Sequence, residues 1–259
     1  MNSYLPTQLI ALETLARKEI SRVLRIWKMT LAPPVLTTYL FYVVFGVVLG
    51  SRIGTLKGMA YMNFIIPGLF MNVVVLESFQ NASSSLMIDK WNRVTDILIS
   101  SPAKPMVLIL SYIIGGLSRV LLASIGLLIL FAVISDITIE HPFILVIAVC
   151  MTSLFFSLFG LLSALYAKAF DQLSTMPTFI LTPLSFFSGV FYDIKMLPQP
   201  WFVLSQFNPL VYLLRLYRFA FLDIQYANLA FHNGLLAFAL IVFAFVIARL
   251  FRINWGLRL

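Results

Sequence analysis

An all-helical integral membrane protein with six spans is the fold class this sequence predicts, and three observations predict it. Hydrophobic residues fill 61% of the 259 positions and charged residues 11%, where a soluble domain carries roughly a quarter charged. The mean hydropathy is +0.98. The apolar residues gather into runs of the ~20 residues that a helix needs to cross the hydrocarbon core. The lysines and arginines collect in alternate connections, as they do when one side of a membrane retains them.

The same composition excludes several classes. Cys150 is the one cysteine and sits in an apolar run, which rules out a disulfide framework and a cysteine metal site. The net charge of +8 belongs to cytoplasmic loops rather than to nucleic-acid binding. The first thirty residues hold no apolar core of the signal-peptide type, so no cleaved leader is expected.

Taken in order, residues 1–30 form a cytoplasmic amphipathic helix. Glu13, Arg17, Lys18, Glu19, Arg22, Arg25 and Lys28 recur at helical spacing, opposite Leu12, Ala16, Ile20, Val23, Leu24 and Trp27. Such a helix lies in the interface with Arg17, Arg22 and Arg25 near lipid phosphates. The transmembrane domain, 31–259, then holds spans at about 31–50, 61–88, 106–134, 143–166, 173–191 and 234–251. With both termini inside, twelve lysines and arginines are cytoplasmic and five external, among them Arg52, Lys57 and Lys195, which sets the orientation. Span two carries Pro67-Gly68, where a kink or a closely packed crossing is expected.

Two connections are unlike plain loops. Residues 89–105, DKWNRVTDILISSPAKP, place Asp89, Lys90, Arg93, Thr95 and Asp96 beside Ile97 and Leu98. This is room for a short amphipathic helix on the cytoplasmic side, stopped at Ser100-Ser101-Pro102, with the makings of a surface that another protein touches. The external stretch after span five is too apolar for a solvated loop. Asn208 caps a helix with Pro209 in its first turn, and Arg215 and Arg218 follow on one face. We read about 192–222 as re-entrant helices dipping into the outer leaflet over a cavity.

Two ionisable residues fall inside spans, Glu77 and Arg119. Each lies roughly 20 Å along its helix from the 89–105 turn, at 1.5 Å per residue, so they reach similar depth. They either pair to fix helix register or line a path with Asn81 and its polar neighbours. Among nucleotide, metal and catalytic signatures, no P-loop and no H-E-x-x-H stands in the chain. His141 and His232 read as solvated loop residues, and a Ser-His-Asp site drawn through Asp136 and His141 has no support in spacing. Catalysis within the chain is not expected.

The basic amphipathic leader, the IIPGLF entry to span two, DILISSP, FDQLSTMPTFILTPLSFFSGVFY, LPQPW and FNPLVYLLRLYR together resemble the permease subunits of ABC-2 type transporters. Within that family the chain is most similar to bacterial inner-membrane permeases of YadH type, and the resemblance covers essentially its whole length. One departure is Val94-Thr95 before Asp96, where the commoner form has Gly-Thr. The resemblance implies a type V exporter-like half-transporter in the bacterial inner membrane. A second permease chain, as a homodimer, and two copies of a cytoplasmic ATPase subunit that binds ATP and Mg would complete it, with no cofactor in this chain. It further implies that 89–99 is a coupling helix seated in the ATPase, that the leader is the interface helix beside it, and that Phe187, Phe191, Asn208, Pro209, Arg215 and Arg218 belong to an external gate. An amphipathic or hydrophobic substrate such as a drug, lipid-linked molecule or glycan is expected. Two rivals from other classes are an ion-driven secondary transporter with Glu77 as its ion site and a non-transporting scaffold or sensor.

Overall fold

The computed structural model describes residues 4–56, 58–135 and 137–257, leaving aside the side chains of 4–6 and 229–230. Lys57, Asp136 and the first residues of the leader, which entered the reading above, lie outside them.

The leader forms α1 (Tyr4–Arg25) and ends at Ile26, where φ −107° and ψ 24° break the helix. α2 (Trp27–Phe41) begins at once, so Trp27 and Lys28 belong to the first span and not to the leader. α2 runs through a π-helical stretch, Tyr42–Leu49, into α3 (Gly50–Ile53), making one apolar helix Trp27–Ile53 that exceeds the expected 31–50 at both ends. A two-residue hairpin, Thr55–Leu56 paired with Met59–Ala60, leads into α4 (Tyr61–Trp91). After the turn come α5 (Val94–Ser100), α6 (Pro105–Ile134) and α7 (Pro142–Tyr166). Both long helices start at proline, whose missing N–H would be unpaired there in any case.

The expected fifth span, 173–191, is not one helix. It consists of α8 (Phe170–Leu173), a π-helical turn Pro177–Leu181 and α9 (Thr182–Phe186), followed by an irregular turn. Pro177 and Pro183 account for the interruptions, since each withholds an N–H and crowds the preceding turn. The remaining elements are α10 (Gln199–Ser205), α11 (Pro209–Leu222) and α12 (Leu229–Arg252). Among the described residues, five helices are long and apolar enough to cross a membrane, and the 170–186 segment is not one of them.

α4 is the central element. It packs on α6 and α7, with Ile65, Ile66, Met71 and Phe79 fully buried. One core cluster, around Phe70, Phe131, Tyr217 and Phe221, fills the α11 end of the bundle. A second, around Leu86, Tyr112, Leu161 and Phe251, fills the α5 end. α12 packs along one edge and leaves Phe238, Ile241, Val242 and Phe245 exposed, as suits a helix whose outer face meets lipid. Where solvent is apolar, helices gain by close backbone approach rather than by hiding from water. Gly160 of α7 is such a point, because a Cβ there would stand 2.5 Å from the Phe79 carbonyl oxygen. Replacing Gly160 with Leu should separate α4 from α7 and destabilise the fold by about 1–3 kcal/mol, read as a lowered melting temperature in detergent; an unchanged melting temperature would refute the close crossing.

Candidate functional site

The chain reverses between α4 and α5 at Arg93, whose backbone takes the left-handed conformation (φ 56°), a region that few non-glycine residues occupy. α5 then lies across the end of the bundle. Thr95 is buried beneath it, and Leu98 and Ile99 rest on the second core cluster. Asp96 is half-buried, while Arg93 and Ile97 face outward, Ile97 being 70% exposed. Trp91, 61% exposed, extends the apolar patch and lies with its ring 5.9 Å from that of Phe170.

Asp89 and Lys90, expected on the outward surface of this turn, are instead in the last turn of α4 and each only 3% exposed. They turn inward because each has a buried partner. Lys18 Nζ donates to the two Asp89 oxygens at 2.6 and 2.7 Å, and the Tyr112 hydroxyl donates to Oδ2 at 2.9 Å. Lys90 Nζ donates to the Ala164 and Ala167 carbonyls at 2.9 and 2.8 Å. A cation there satisfies the open carbonyls at the end of α7 and suits the negative end of its dipole.

Asp89 belongs to a polar lattice between α1, α4 and α6. Glu19, 1% exposed, accepts from Ser85 Oγ at 2.7 Å and from Arg22 at 2.8 Å, and Arg22 also donates to Asn81 Oδ1 at 3.0 Å. Gly115 of α6 makes room: a Cβ there would be 2.9 Å from Glu19 Cβ. Further along α1, Gln8 accepts from the Lys104 N–H and donates to the Pro102 carbonyl, both at 2.8 Å. α1 therefore grips the bundle and the segment that follows α5 together. Its inward face is part charged, whereas Leu9, Ile10 and Leu24 face outward. Of the interface-helix residues, Arg22 is in the lattice, Arg25 is exposed, and Arg17 pairs with Glu13 at 3.4 Å on the surface. Lys18 and Glu19 are site residues that the sequence reading placed on the charged face without singling them out; their one signal was that Glu19, at about 100° per residue, falls in line with Leu12 and Val23 on the apolar side.

Deeper in the bundle, Arg119 of α6 donates through Nε to Glu77 of α4, joining the two residues that share a depth. Three adjoining spaces run along this face of α4. Arg119, Gln80, Ser83, Ser84 and Thr178 line an open groove of about 490 Å³. Glu77, Gln80 and Asn72 line a cavity of about 200 Å³ against Pro33 and Thr37. Asn72, Leu76, Ser185 and Phe191 line one of about 240 Å³, crossed by a 2.9 Å hydrogen bond from Ser185 to Asn72. Asn81, expected beside Glu77 in such a path, is fully buried toward Arg22 instead. One residue after Gln80 means a turn of about 100° around the helix, enough to leave the groove.

At the far end, Val190 sits over Gly68, where an added Cβ would be 2.8 Å from it. This is a packed crossing, and α4 is unbroken through Pro67. The turn at 187–193 is pinned from several sides. Arg218, 3% exposed, donates to the Gly189 carbonyl at 2.6 Å and stands 3.8 Å over the Phe64 ring. Tyr61 donates to the Phe191 carbonyl at 2.7 Å, and the Phe191 ring packs 4.5 Å from Phe45. Asn208 caps α11 by accepting from the Leu210 N–H at 3.0 Å, ahead of Pro209, and donates to the Leu184 carbonyl at 2.7 Å. Phe187 stacks on Trp201 at 5.5 Å, and Arg215 lies 5.1 Å over the Tyr212 ring and 5.7 Å over that of Tyr226. The histidines are held rather than merely solvated: His141 meets Asp223 at 3.0 Å, and His232 stacks on Tyr212.

Because Glu19 is buried against Ser85 and a part-exposed Arg22, Glu19→Ala should destabilise the fold by about 1–3 kcal/mol. Arg22→Ala in the same background should add much less than it does alone, a non-additivity that thermal unfolding of the two single variants and the double would measure. Additive losses would mean that the lattice is not a unit.

A family model described as ABC-2 type transporter matches residues 10–222. The chain is 38% identical over 251 residues to the Inner membrane transport permease YadH of Escherichia coli K12, covering 96% of this chain and 97% of that protein. It is 24% identical over 215 residues to Nodulation protein J of Sinorhizobium fredii, covering 82% and 80%. With a family match over most of its length and a relative this similar from end to end, the chain belongs to the ABC-2 type transporter family.

Proposed function

We propose that the chain is the permease subunit of an ATP-binding-cassette exporter of the bacterial inner membrane, working as a pair of like chains with two cytoplasmic ATPase subunits that bind ATP and Mg. The observation that carries this reading is α5. It presents Ile97 outward, beside the exposed Trp91 and Arg93 of the turn that leads into it, while Leu98 and Ile99 seat it on the core, and α1 ties the same region to α4 and α6. An apolar centre with polar flanks is what a docking surface needs, and its rigid mounting supports a relay in which ATPase movement displaces α4. Family membership supports the division of labour between permease and ATPase, and the relative's name supports transport at the inner membrane.

In this reading the broken 170–186 segment completes six spans, and both termini lie on the cytoplasmic side with α5, in keeping with the cation distribution. The spaces along α4 serve as half of a translocation path, and the segment around α10 and α11 closes it externally as a re-entrant gate. A substrate with amphipathic or hydrophobic character, such as a drug, lipid-linked molecule or glycan, suits a groove that is polar at Arg119 and apolar at Phe41 and Phe186. The engagement of Glu77 by Arg119 weighs against an ion-driven transporter with Glu77 as its free ion site.

The test is co-expression with an ATPase carrying a P-loop, followed by co-purification and ATP hydrolysis in lipid. Ile97→Asp should weaken partner binding by about 2 kcal/mol, roughly thirtyfold, with the chain's melting temperature unchanged; wild-type hydrolysis from this variant would sink the docking role. For the mid-membrane pair, Glu77→Gln or Arg119→Gln alone should destabilise the fold by about 3–5 kcal/mol, because one charge is left buried. The double variant should recover most of that loss, and its transport rate then reports whether the pair acts only in folding.

A further inference from the structure

The described residues hold a fourth space, apart from the path along α4. It is a groove of about 560 Å³ between the start of α6 and the end of α12, a size typical of small-molecule sites. Lys104, Arg249 and Arg252 bring three cations to it, and Met106, Phe245 and Ala248 supply apolar wall. None of its lining residues is acidic. Among the described residues none of the three cations makes an ion pair or a side-chain hydrogen bond, and all three are exposed. The groove also lies at the first residues of a 30-residue helix, where the positive end of the dipole adds to the charge.

Three unpaired cations around one depression, with no carboxylate to balance them, call for an anion. The apolar part decides which kind. Met106 and Phe245 are themselves exposed, and above Phe245 the outer face of α12 continues apolar through Val242, Ile241 and Phe238. An ion alone would leave that strip uncovered. A molecule with an anionic head and long apolar tails would satisfy the cations and lie along the strip at once. Basic pockets between helices on the cytoplasmic side of a membrane suit such head groups.

We propose that this groove binds the phosphate of an anionic phospholipid of the cytoplasmic leaflet, whose acyl chains lie along the outward face of α12. The proposal rests on the orientation given above, with α5 and the end of α12 both cytoplasmic. Bound there, the lipid joins the start of α6 to the end of α12 beside the segment that Gln8 holds. Charge on the lipid thereby bears on the same end of the bundle as α5.

The test uses the full-length chain in detergent, titrated with phosphatidylglycerol or phosphatidylcholine of identical acyl chains and read by native mass spectrometry. Wild type should bind phosphatidylglycerol at least about tenfold more tightly, given roughly 1 kcal/mol for each cation near a phosphate. K104Q/R249Q/R252Q should lose that preference at an unchanged melting temperature. K28Q/R93Q/K168Q, which removes three exposed cations elsewhere, should keep it. R249Q alone should lose severalfold and serves if the triple variant does not fold. The proposal is overturned if wild type shows no preference, if K104Q/R249Q/R252Q retains it, or if the second triple variant loses as much. Full competition by glycerol 3-phosphate at the lipid's own concentration would mean a site for soluble phosphate and would also overturn it. So would loss of ATPase co-purification from K104Q/R249Q/R252Q with lipid preference intact, which would assign the groove to the protein partner. The lipid titration needs no ATPase, so failure to find an ATPase partner would count against the proposed function and leave this result standing.

Discussion

Charge that cannot reach water must find a partner, and that constraint shapes the α5 end of this protein. Glu19 and Asp89 are almost wholly enclosed, and an unpaired carboxylate in such a place would cost several kcal/mol. Their partners come from three different helices: Lys18 and Arg22 on α1, Ser85 on α4 and Tyr112 on α6. The geometry that satisfies one group therefore fixes three axes. Lys90 extends the set to a fourth helix through the carboxyl end of α7. Directional polar contacts thus decide the register of helices whose apolar surfaces would tolerate sliding.

The position of α5 follows from this arrangement. Its two ends are governed by residues that it does not contain. Asp89 and Lys90 hold the helix before it, while Gln8 clamps the segment after it. Arg93 keeps the reversal between them in a conformation few side chains favour. What remains outward is a small apolar patch on a base held from both sides by hydrogen bonds to other helices.

Much of this was legible in the sequence, and the failures have physical causes. The long apolar runs gave spans two, three and four within a few residues of α4, α6 and α7, because periodicity and length suffice where a helix is continuous. The depth argument for Glu77 and Arg119 held because rise per residue is fixed. The 173–191 stretch misled, since hydropathy does not register that Pro177 and Pro183 divide it. Asp89, Lys90 and Asn81 misled for another reason. In a linear reading, charge in a cytoplasmic turn looks solvent-facing, and only partners distant in sequence turn these groups inward: α1 for Asp89 and Asn81, and the end of α7 for Lys90. The lattice was invisible because long-range polar pairing leaves no periodic trace.

The 170–186 segment has a mechanical consequence. A regular helix resists bending because each turn is bonded to the next. Here two prolines and a π-helical turn remove or lengthen those bonds, and the Thr182 hydroxyl, donating to the Pro177 carbonyl at 2.9 Å, replaces only one of them. Opposite it stands α4, 31 residues without a break and fixed at both ends. The groove between them is thus walled by a stiff beam on one side and a flexure on the other. Of the two walls it is the jointed one that can bend, so the width of the groove follows the segment that never forms a complete helix.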